Sequence, residues 1–135
     1  MTPVFLDTGY LIALETSDDE NHRDALRHWK TFRRKQPPLV TTSLVLSETV
    51  TFFNSRGQHA KAVEVGNVLL ESPSVTLMQV DESLLQRGWE YFQKHADKSY
   101  SLTDCISFVV MKDRGINRAL AFDRHFVQAG FTKLP

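Results

Sequence analysis

The stretch SLTDCISFVV, residues 101–110, decides the fold of this chain. Apolar residues recur at helical spacing from Ile106 to Met111, and Gly115 ends the pattern. This spacing predicts a helix that begins near Ser101 or Thr103, with Asp104 in its first turn. The carboxylate of Asp104 would then lie beside unpaired backbone N–H groups, at the positive end of the helix dipole.

Two interpretations of Asp104 follow from this position. Ser101 and Asp104 have the spacing of a capping box, in which the acid closes the helix start and has no other role. The second interpretation makes Asp104 part of a functional site. Taken alone, the residue favours the capping box, but three further acids at comparable places in the chain favour a site.

The composition describes a small protein without a strong overall charge. Its 135 residues are 41% hydrophobic, enough for one domain with a core, and Lys plus Arg equal Asp plus Glu at 16 each. A polyanion would therefore have to be held by a local basic patch. The single cysteine, Cys105, fits a reducing compartment, and no apolar run reaches membrane length. We expect a soluble, cytoplasmic protein that does not bind membranes.

Apolar runs and helical patterns alternate along the chain. Strands are predicted at residues 3–6, 39–42, 75–80, 118–122 and 131–134. Helices are predicted at residues 9–14, 21–35, about 44–54, about 58–71, from 81, from 101, and briefly through 125 and 126. Strands that alternate with helices indicate an α/β fold: a four- to five-stranded parallel sheet with helices on both faces. We expect one domain over residues 1–135.

Four acids are expected to meet at one edge of this sheet. Asp7 and Asp123 each end an apolar strand, Glu48 lies one to two turns into the helix after the second strand, and Asp104 begins a helix. Ligands of parallel sheets bind outside the carboxyl ends of the strands, near the point where strand order reverses. Asp81 also follows a strand, but it directly precedes a helix and is interpreted as an N-cap.

Clustered carboxylates repel one another unless some are protonated or a cation lies among them. Oxygen ligands without paired Cys or His favour Mg²⁺ or Mn²⁺ over zinc, and these ions suit phosphodiester hydrolysis. The five histidines lack ligand spacing; His125 alone is noteworthy, because it follows Asp123 at the presumed active edge. The chain has no Gly-rich phosphate loop and no nucleophile elbow.

At these motifs the sequence resembles the PIN-domain nucleases, and in particular the VapC-type toxins of toxin–antitoxin pairs. The matching residues are Phe5-Leu6-Asp7-Thr8, Ser47-Glu48, Ser101-Leu102-Thr103-Asp104, and Asp123-Arg124-His125-Phe126 followed by Gly130. The resemblance covers nearly the whole chain. Each motif alone is weakly specific, but the four motifs in this order are fairly specific for the family. Two positions depart from the family pattern, Gly9 and Ala121, where hydroxyl or amide side chains are common.

The resemblance implies an activity, a site and partners. The activity is a Mg²⁺- or Mn²⁺-dependent endoribonuclease, the toxin of a toxin–antitoxin pair. RNA is the implied substrate, and an antitoxin or a second copy of the chain is the implied protein partner. The catalytic and metal-binding residues would be Asp7, Glu48, Asp104 and Asp123. Supporting residues would be Thr8, Ser101 and Thr103.

Two other functions stay open from the residues alone. The same acids and metal would also suit a hydrolase of a small phosphoester. Alternatively, the acids act only as helix caps, and the chain is a non-catalytic module that binds RNA or a protein.

Two surfaces are candidates for binding. The helix predicted over 21–35 carries a stripe of four basic residues: Arg23, Arg27, Lys30 and Arg34. This stripe would either hold RNA phosphates or be an ordinary solvated helix face. It would lie opposite an apolar face that contains Leu26, Trp29 and Phe32. Large apolar side chains on the N-terminal helices would meet a protein partner, or are ordinary core: Trp29, Phe32, Phe52 and Phe53.

Overall fold

A computed structural model describes residues 2–135. The strands are β1 (Val4–Leu6), β2 (Leu39–Thr42), β3 (Val75–Met78), β4 (Arg118–Leu120) and β5 (Thr132–Leu134). The helices are α1 (Thr8–Glu15), α2 (His22–Phe32), α3 (Ser43–Ser55), α4 (His59–Glu71), α5 (Glu82–Lys94), α6 (Leu102–Asp113) and α7 (His125–Gln128). A 3₁₀ turn, Arg33–Lys35, extends α2.

The five strands form one parallel sheet in the order β3-β2-β1-β4-β5, which confirms the predicted fold class. From β1 the chain builds outward through β2 and β3, and then crosses to the other side of β1 to form β4 and β5. Strand order therefore reverses between β1 and β4. Ligand sites in such sheets lie at this reversal, outside the carboxyl ends of the two strands.

Helix α6 is the most buried helix of the described chain. Every residue from Asp104 to Met111 is buried, so this helix is covered on all sides rather than along one stripe. It packs closely against α5, while α1 to α4 form a separate group of contacts. Cys105 lies fully buried on α6, and burial raises the pKa of its thiol to about 11, which makes it unreactive.

Several predicted bounds are wrong in detail. The helix predicted over 21–35 ends at Phe32, because Gln36 turns into a left-handed conformation (φ 47°) ahead of Pro37. Arg34 consequently lies in the 3₁₀ turn. Strands β3 and β4 stop two residues before their predicted ends. Leu26, predicted on the packed face of α2, is instead exposed.

No helix between residues 2 and 135 is long and apolar enough to cross a membrane.

Candidate metal-dependent active site

Asp7 and Asp123 lie at the strand-order reversal, as the sequence predicted. Asp7 directly follows β1, and its backbone N–H donates to the carbonyl of Leu120, the last residue of β4 (3.1 Å). It occupies the N-cap position of α1, yet its carboxylate makes no capping hydrogen bond and is only 6% exposed. By contrast, Asp81 does cap α5 by accepting from the N–H of Leu84 (2.8 Å), as predicted. The Asp7 side chain therefore lacks the capping hydrogen bond that Asp81 makes, although the N–H groups of Thr8 and Gly9 lie close to it.

The two carboxylate oxygens of Asp104 are in different situations. Oδ2 accepts from the backbone N–H of Ser101 (3.1 Å), and Ser101 Oγ accepts from the N–H of Asp104 (3.0 Å), which completes the predicted capping box. Oδ2 also accepts from His125 Nδ1 (2.9 Å). Oδ1 accepts no hydrogen bond from any residue between 2 and 135, so it is available to a ligand.

His125 joins two of the acids. Its Nδ1 lies 2.9 Å from Asp104 Oδ2 and 3.3 Å from Asp123 Oδ1, while its backbone N–H donates to the same Asp123 oxygen (2.6 Å). Because Nδ1 faces carboxylate oxygens, it carries a proton, and Nε2 is left to accept from Ser99 Oγ (3.3 Å). Among the described residues, Asp123 forms no ion pair with its neighbour Arg124 and instead contacts His125.

Glu48 is held by hydroxyl groups from two different helices. Thr8 Oγ1 on α1 donates to Glu48 Oε1 (3.0 Å), and Thr103 Oγ1 on α6 donates to Oε2 (2.9 Å). Glu48 is exposed on α3, so the two threonines fix a side chain that would otherwise be mobile in solvent. These contacts place Thr8 and Thr103 beside the acids, where the sequence expected supporting residues.

The acids line one open cavity of about 650 Å³. Its wall contains six carboxylates and, within the described residues, no lysine or arginine: Asp7, Asp19, Glu20, Glu48, Asp104 and Asp123. Burial raises the pKa of Asp7 to about 8; repulsion from Asp104 and Asp123 adds to this, and the nearby N–H groups of Thr8 and Gly9 oppose it. Burial also raises the pKa of Asp104, against the lowering effect of the Ser101 N–H.

This donor set fits a hard divalent cation. The ligand atoms of Asp104, Asp123 and His125 lie within 4.8 Å of one another, and Asp7 is close enough to interact electrostatically with both aspartates. Buried like charges without a cationic side chain are unstable alone, and an ion among them would remove the repulsion. Carboxylate oxygens are the ligands that Mg²⁺ and Mn²⁺ prefer.

The structure adds His125 to the predicted site residues. In the sequence, His125 is noticeable only because it comes two residues after Asp123. This position does not reveal its contact with Asp104, which lies twenty-one residues earlier. Of the two departures from the family pattern, Gly9 lines the acidic cavity and Ala121 does not. A Cβ on Gly9 would be 3.6 Å from Asp7 Oδ2, an ordinary contact, and Ala121 is fully buried.

The two predicted surfaces are only partly realised. The four basic residues of the stripe are exposed, as expected, but only Arg27 lines a cavity next to the acids. Phe53 is fully buried, so the second alternative, ordinary core, holds for this residue. Trp29, Phe32 and Phe52 are half-buried and pack against the core.

A parallel sheet with clustered acids at its strand-order reversal is the arrangement that a metal-dependent nuclease of the PIN type requires. The PIN domain family matches residues 4–132, and the chain belongs to this family. The fold, the family and the enzyme class predicted from the sequence are thereby confirmed.

Named relatives agree with this assignment. The chain is 37% identical over 131 residues to the 23S rRNA-specific endonuclease VapC20 of Mycobacterium tuberculosis, in two strains, with 97% of each chain covered. The crystal structure of M. tuberculosis VapC20, a sarcin-ricin loop cleaving toxin, superposes with a TM-score of 0.87 at 36% identity, over 97% of this chain and 98% of that chain. FitAcB from Neisseria gonorrhoeae shares the fold, with a TM-score of 0.67 at 13% identity over 98% and 96% of the two chains.

Proposed function

We propose that this protein is a Mg²⁺- or Mn²⁺-dependent endoribonuclease whose ion is held by Asp7, Asp104 and Asp123, with Glu48 completing the set. The observation that carries the proposal is that the buried Asp7 and Asp104, the half-buried Asp123 and the exposed Glu48 line one cavity at the strand-order reversal, whose described wall has no lysine or arginine. Residues 1–135 would act as one nuclease domain; the family match over residues 4–132 supports this extent.

Each residue of the site has a distinct task in this proposal. A divalent ion, once bound, supplies the Lewis acidity that phosphodiester hydrolysis requires. Asp104 presents Oδ1 to the site because Oδ2 is fully engaged by the Ser101 N–H and His125 Nδ1. His125 is a positioning residue that sets the angle between the Asp104 and Asp123 carboxylates. Thr8 and Thr103 fix Glu48, which lies at the exposed rim and is placed to orient a water molecule or an RNA hydroxyl.

We propose ribosomal RNA as the substrate, in particular the sarcin-ricin loop of 23S rRNA. The support is that the VapC20 relative, similar over almost its full length, is named for that specificity. The name of VapC20 as a toxin also supports a toxin role for this chain. We further propose an antitoxin as its protein partner and a homodimer as a further assembly.

Cleavage of RNA tests the activity. We expect the purified protein with Mg²⁺ or Mn²⁺ to cut ribosomal RNA at one position, mapped by primer extension. EDTA should abolish the cut, and Asp104→Asn should lose it while retaining the capping bonds of its helix. A matched control is Asp81→Asn, which changes an acid that caps α5 away from the cavity and should leave cleavage intact. If the protein hydrolyses a chromogenic phosphomonoester and leaves ribosomal RNA uncut, it is instead a hydrolase of small phosphoesters.

A co-expression experiment tests the partner. We expect the protein encoded beside this chain to co-purify with it and to suppress cleavage, and light scattering to show whether the isolated chain is a dimer. An isolated monomer that gains no inhibitor from its genetic neighbour would contradict the toxin–antitoxin assignment while leaving the nuclease intact.

A further inference from the structure

A second cavity, of about 990 Å³, adjoins the acidic one. One wall is formed by α2 and the 3₁₀ turn, and the other by β4, β5 and the residues around them. Asn21 and Phe122 line both cavities, so the two lie side by side on the surface. We call the second cavity the basic groove, for the side chains described next.

Four cationic side chains line the basic groove against one acid, Asp24. They are Arg27, Lys35, Arg118 and Lys133. None of the four forms an ion pair with a residue between 2 and 135, although Lys133 Nζ donates to the carbonyl of Pro135 (2.9 Å). The chain as a whole is neutral, with 16 basic and 16 acidic residues. Charge is therefore separated between two adjoining cavities, one acidic and one basic.

Aromatic rings run from the acidic cavity along the basic groove. Phe122, at the junction, stacks on the buried Tyr10, with ring centroids 5.7 Å apart. Tyr10 meets the edge of His28 (5.8 Å) and bonds its Nδ1 through the hydroxyl (2.9 Å), and His28 stacks on Phe32 (5.2 Å). Phe122, His28 and Phe32 line the groove, so it has both cationic rims and an aromatic floor.

We propose that the basic groove binds single-stranded RNA and leads it into the acidic cavity. Cations that track phosphates, together with aromatic faces on which bases stack, are the general means by which proteins hold single strands. The path solves an electrostatic problem, because a cavity of six carboxylates would repel an RNA backbone that had no cationic contacts nearby. The proposal rests on the ribonuclease activity proposed above and replaces the stripe predicted from the sequence, of which only Arg27 lines the groove.

Two triple variants with equal loss of charge test the groove. The groove variant is Arg27→Gln, Lys35→Gln and Arg118→Gln; the control is Arg23→Gln, Lys30→Gln and Arg34→Gln, all exposed and none lining the groove. Binding of a fluorescent single-stranded RNA is measured by anisotropy in EDTA, which keeps the RNA intact, over a series of salt concentrations. Loss of three phosphate contacts should reduce the slope of log K against log salt by about 2. The control should keep the wild-type slope.

Phe122→Leu tests the aromatic floor separately. It keeps an apolar side chain but removes the ring, and it should weaken RNA binding about fivefold or more without changing the salt slope. An unchanged affinity would overturn the stacking part of the proposal. Melting temperatures of all variants confirm that they fold.

Cleavage by the wild-type protein separates the two proposals. If the wild-type protein cuts RNA but the groove variant keeps the wild-type salt slope, the proposal that the groove binds RNA is overturned. The proposed ribonuclease activity then still stands. If the wild-type protein cuts no RNA with Mg²⁺ or Mn²⁺, the proposed ribonuclease activity is contradicted. A reduced salt slope in the groove variant would still show that the groove binds RNA. An unchanged slope with an altered oligomeric state, measured by light scattering, would assign the groove to a protein contact and overturn the proposal.

Discussion

Asp104 serves the helix and the proposed site with different oxygens. Oδ2 closes the start of α6 through the capping box and accepts from His125, while Oδ1 stays available. The capping interpretation and the ligand interpretation are therefore compatible. A cap is also a means of orienting a ligand, because the Ser101 N–H, together with His125 Nδ1, holds the carboxylate in one rotamer.

Asp7 makes the metal-free protein sensitive to pH. Burial raises its pKa from 3.8 to about 8, so between those values the folded protein keeps a proton that the unfolded chain has released. The stabilisation from protonated Asp7 is complete below about pH 4 and is lost as pH rises through about 8. In the wild type, this loss amounts to at most about 1.4 kcal/mol of unfolding free energy per pH unit. We expect Asp7→Asn to remove it, as measured by urea titrations in EDTA at several pH values.

Asp18→Asn is the control for this measurement, because Asp18 is exposed and outside the acidic cavity. It should retain the wild-type pH dependence. An Asp7→Asn protein whose stability declines with pH as steeply as the wild type would contradict the argument.

His125 can be tested as a positioning residue by changing which nitrogen remains. Asn places a donor close to the position of Nδ1, Gln places one near Nε2, and Ala removes both. We expect His125→Asn to keep most of the Mn²⁺ affinity, and His125→Gln and His125→Ala to lose about 10- to 100-fold, because the carboxylates lose their orientation. Calorimetric Mn²⁺ titration measures this without reference to cleavage. Equal losses in all three variants would make His125 a metal ligand, and no loss in any would remove it from the site.

Packing between α5 and α6 sets the position of the Asp104 carboxylate. Gly88 on α5 lies against Ile106 on α6, and a Cβ added there would collide with Ile106 Cγ1. Both residues are buried, and Ile106 is only two residues beyond Asp104. A displacement of α6 along this contact would therefore move the carboxylate relative to the other acids.

We expect Gly88→Ala to lower the free energy of unfolding by up to about 2 kcal/mol. Overpacking costs about 1–3 kcal/mol, and the gain in helix propensity from replacing glycine offsets about 1 kcal/mol of it. Gly66→Ala in α4 is the control, because its Cβ would lie 3.6 Å from Val50 Cγ1, an ordinary contact. This control should gain up to about 1 kcal/mol. Chemical denaturation of both variants measures whether the free energy of unfolding falls or rises. A Gly88→Ala protein that is more stable than the wild type would show that α5 and α6 can move apart at no cost.

The sequence predicted those parts of the site that depend on local pattern and sheet topology. Strand ends could be read from apolar runs that stop at Asp7 and Asp123, and parallel strands bring such ends to one edge. The helix start at Asp104 was likewise local. The hydrogen bonds from Thr8 and Thr103 to Glu48 were not predicted, because they depend on the relative placement of three helices.

The basic groove shows the same limit for the molecule as a whole. Arg118 and Lys133 belong to β4 and β5, which pair only in the folded sheet, and both face α2 across a cavity. Helical periodicity alone placed the cations on a stripe of α2, where Lys30 and Arg34 do not reach that cavity. Distribution of charge over a surface is thus a property of the tertiary fold, even in a chain whose net charge is zero.

Metal binding should stabilise the entire fold, because its proposed ligands are far apart in sequence. Asp7 follows β1, Asp104 lies in α6 and Asp123 lies in the segment after β4, and no preformed site exists once these elements separate. An ion that binds only the folded state at a hundred times its dissociation constant adds about 2.7 kcal/mol, which is a rise in melting temperature on the order of 10 °C. We expect a saturable rise with Mn²⁺ or Mg²⁺, and none in Asp104→Asn/Asp123→Asn. KCl at matched ionic strength controls for screening. A rise that does not saturate, or that survives in the double variant, would show that the ions act on surface charge and that these acids do not hold the metal.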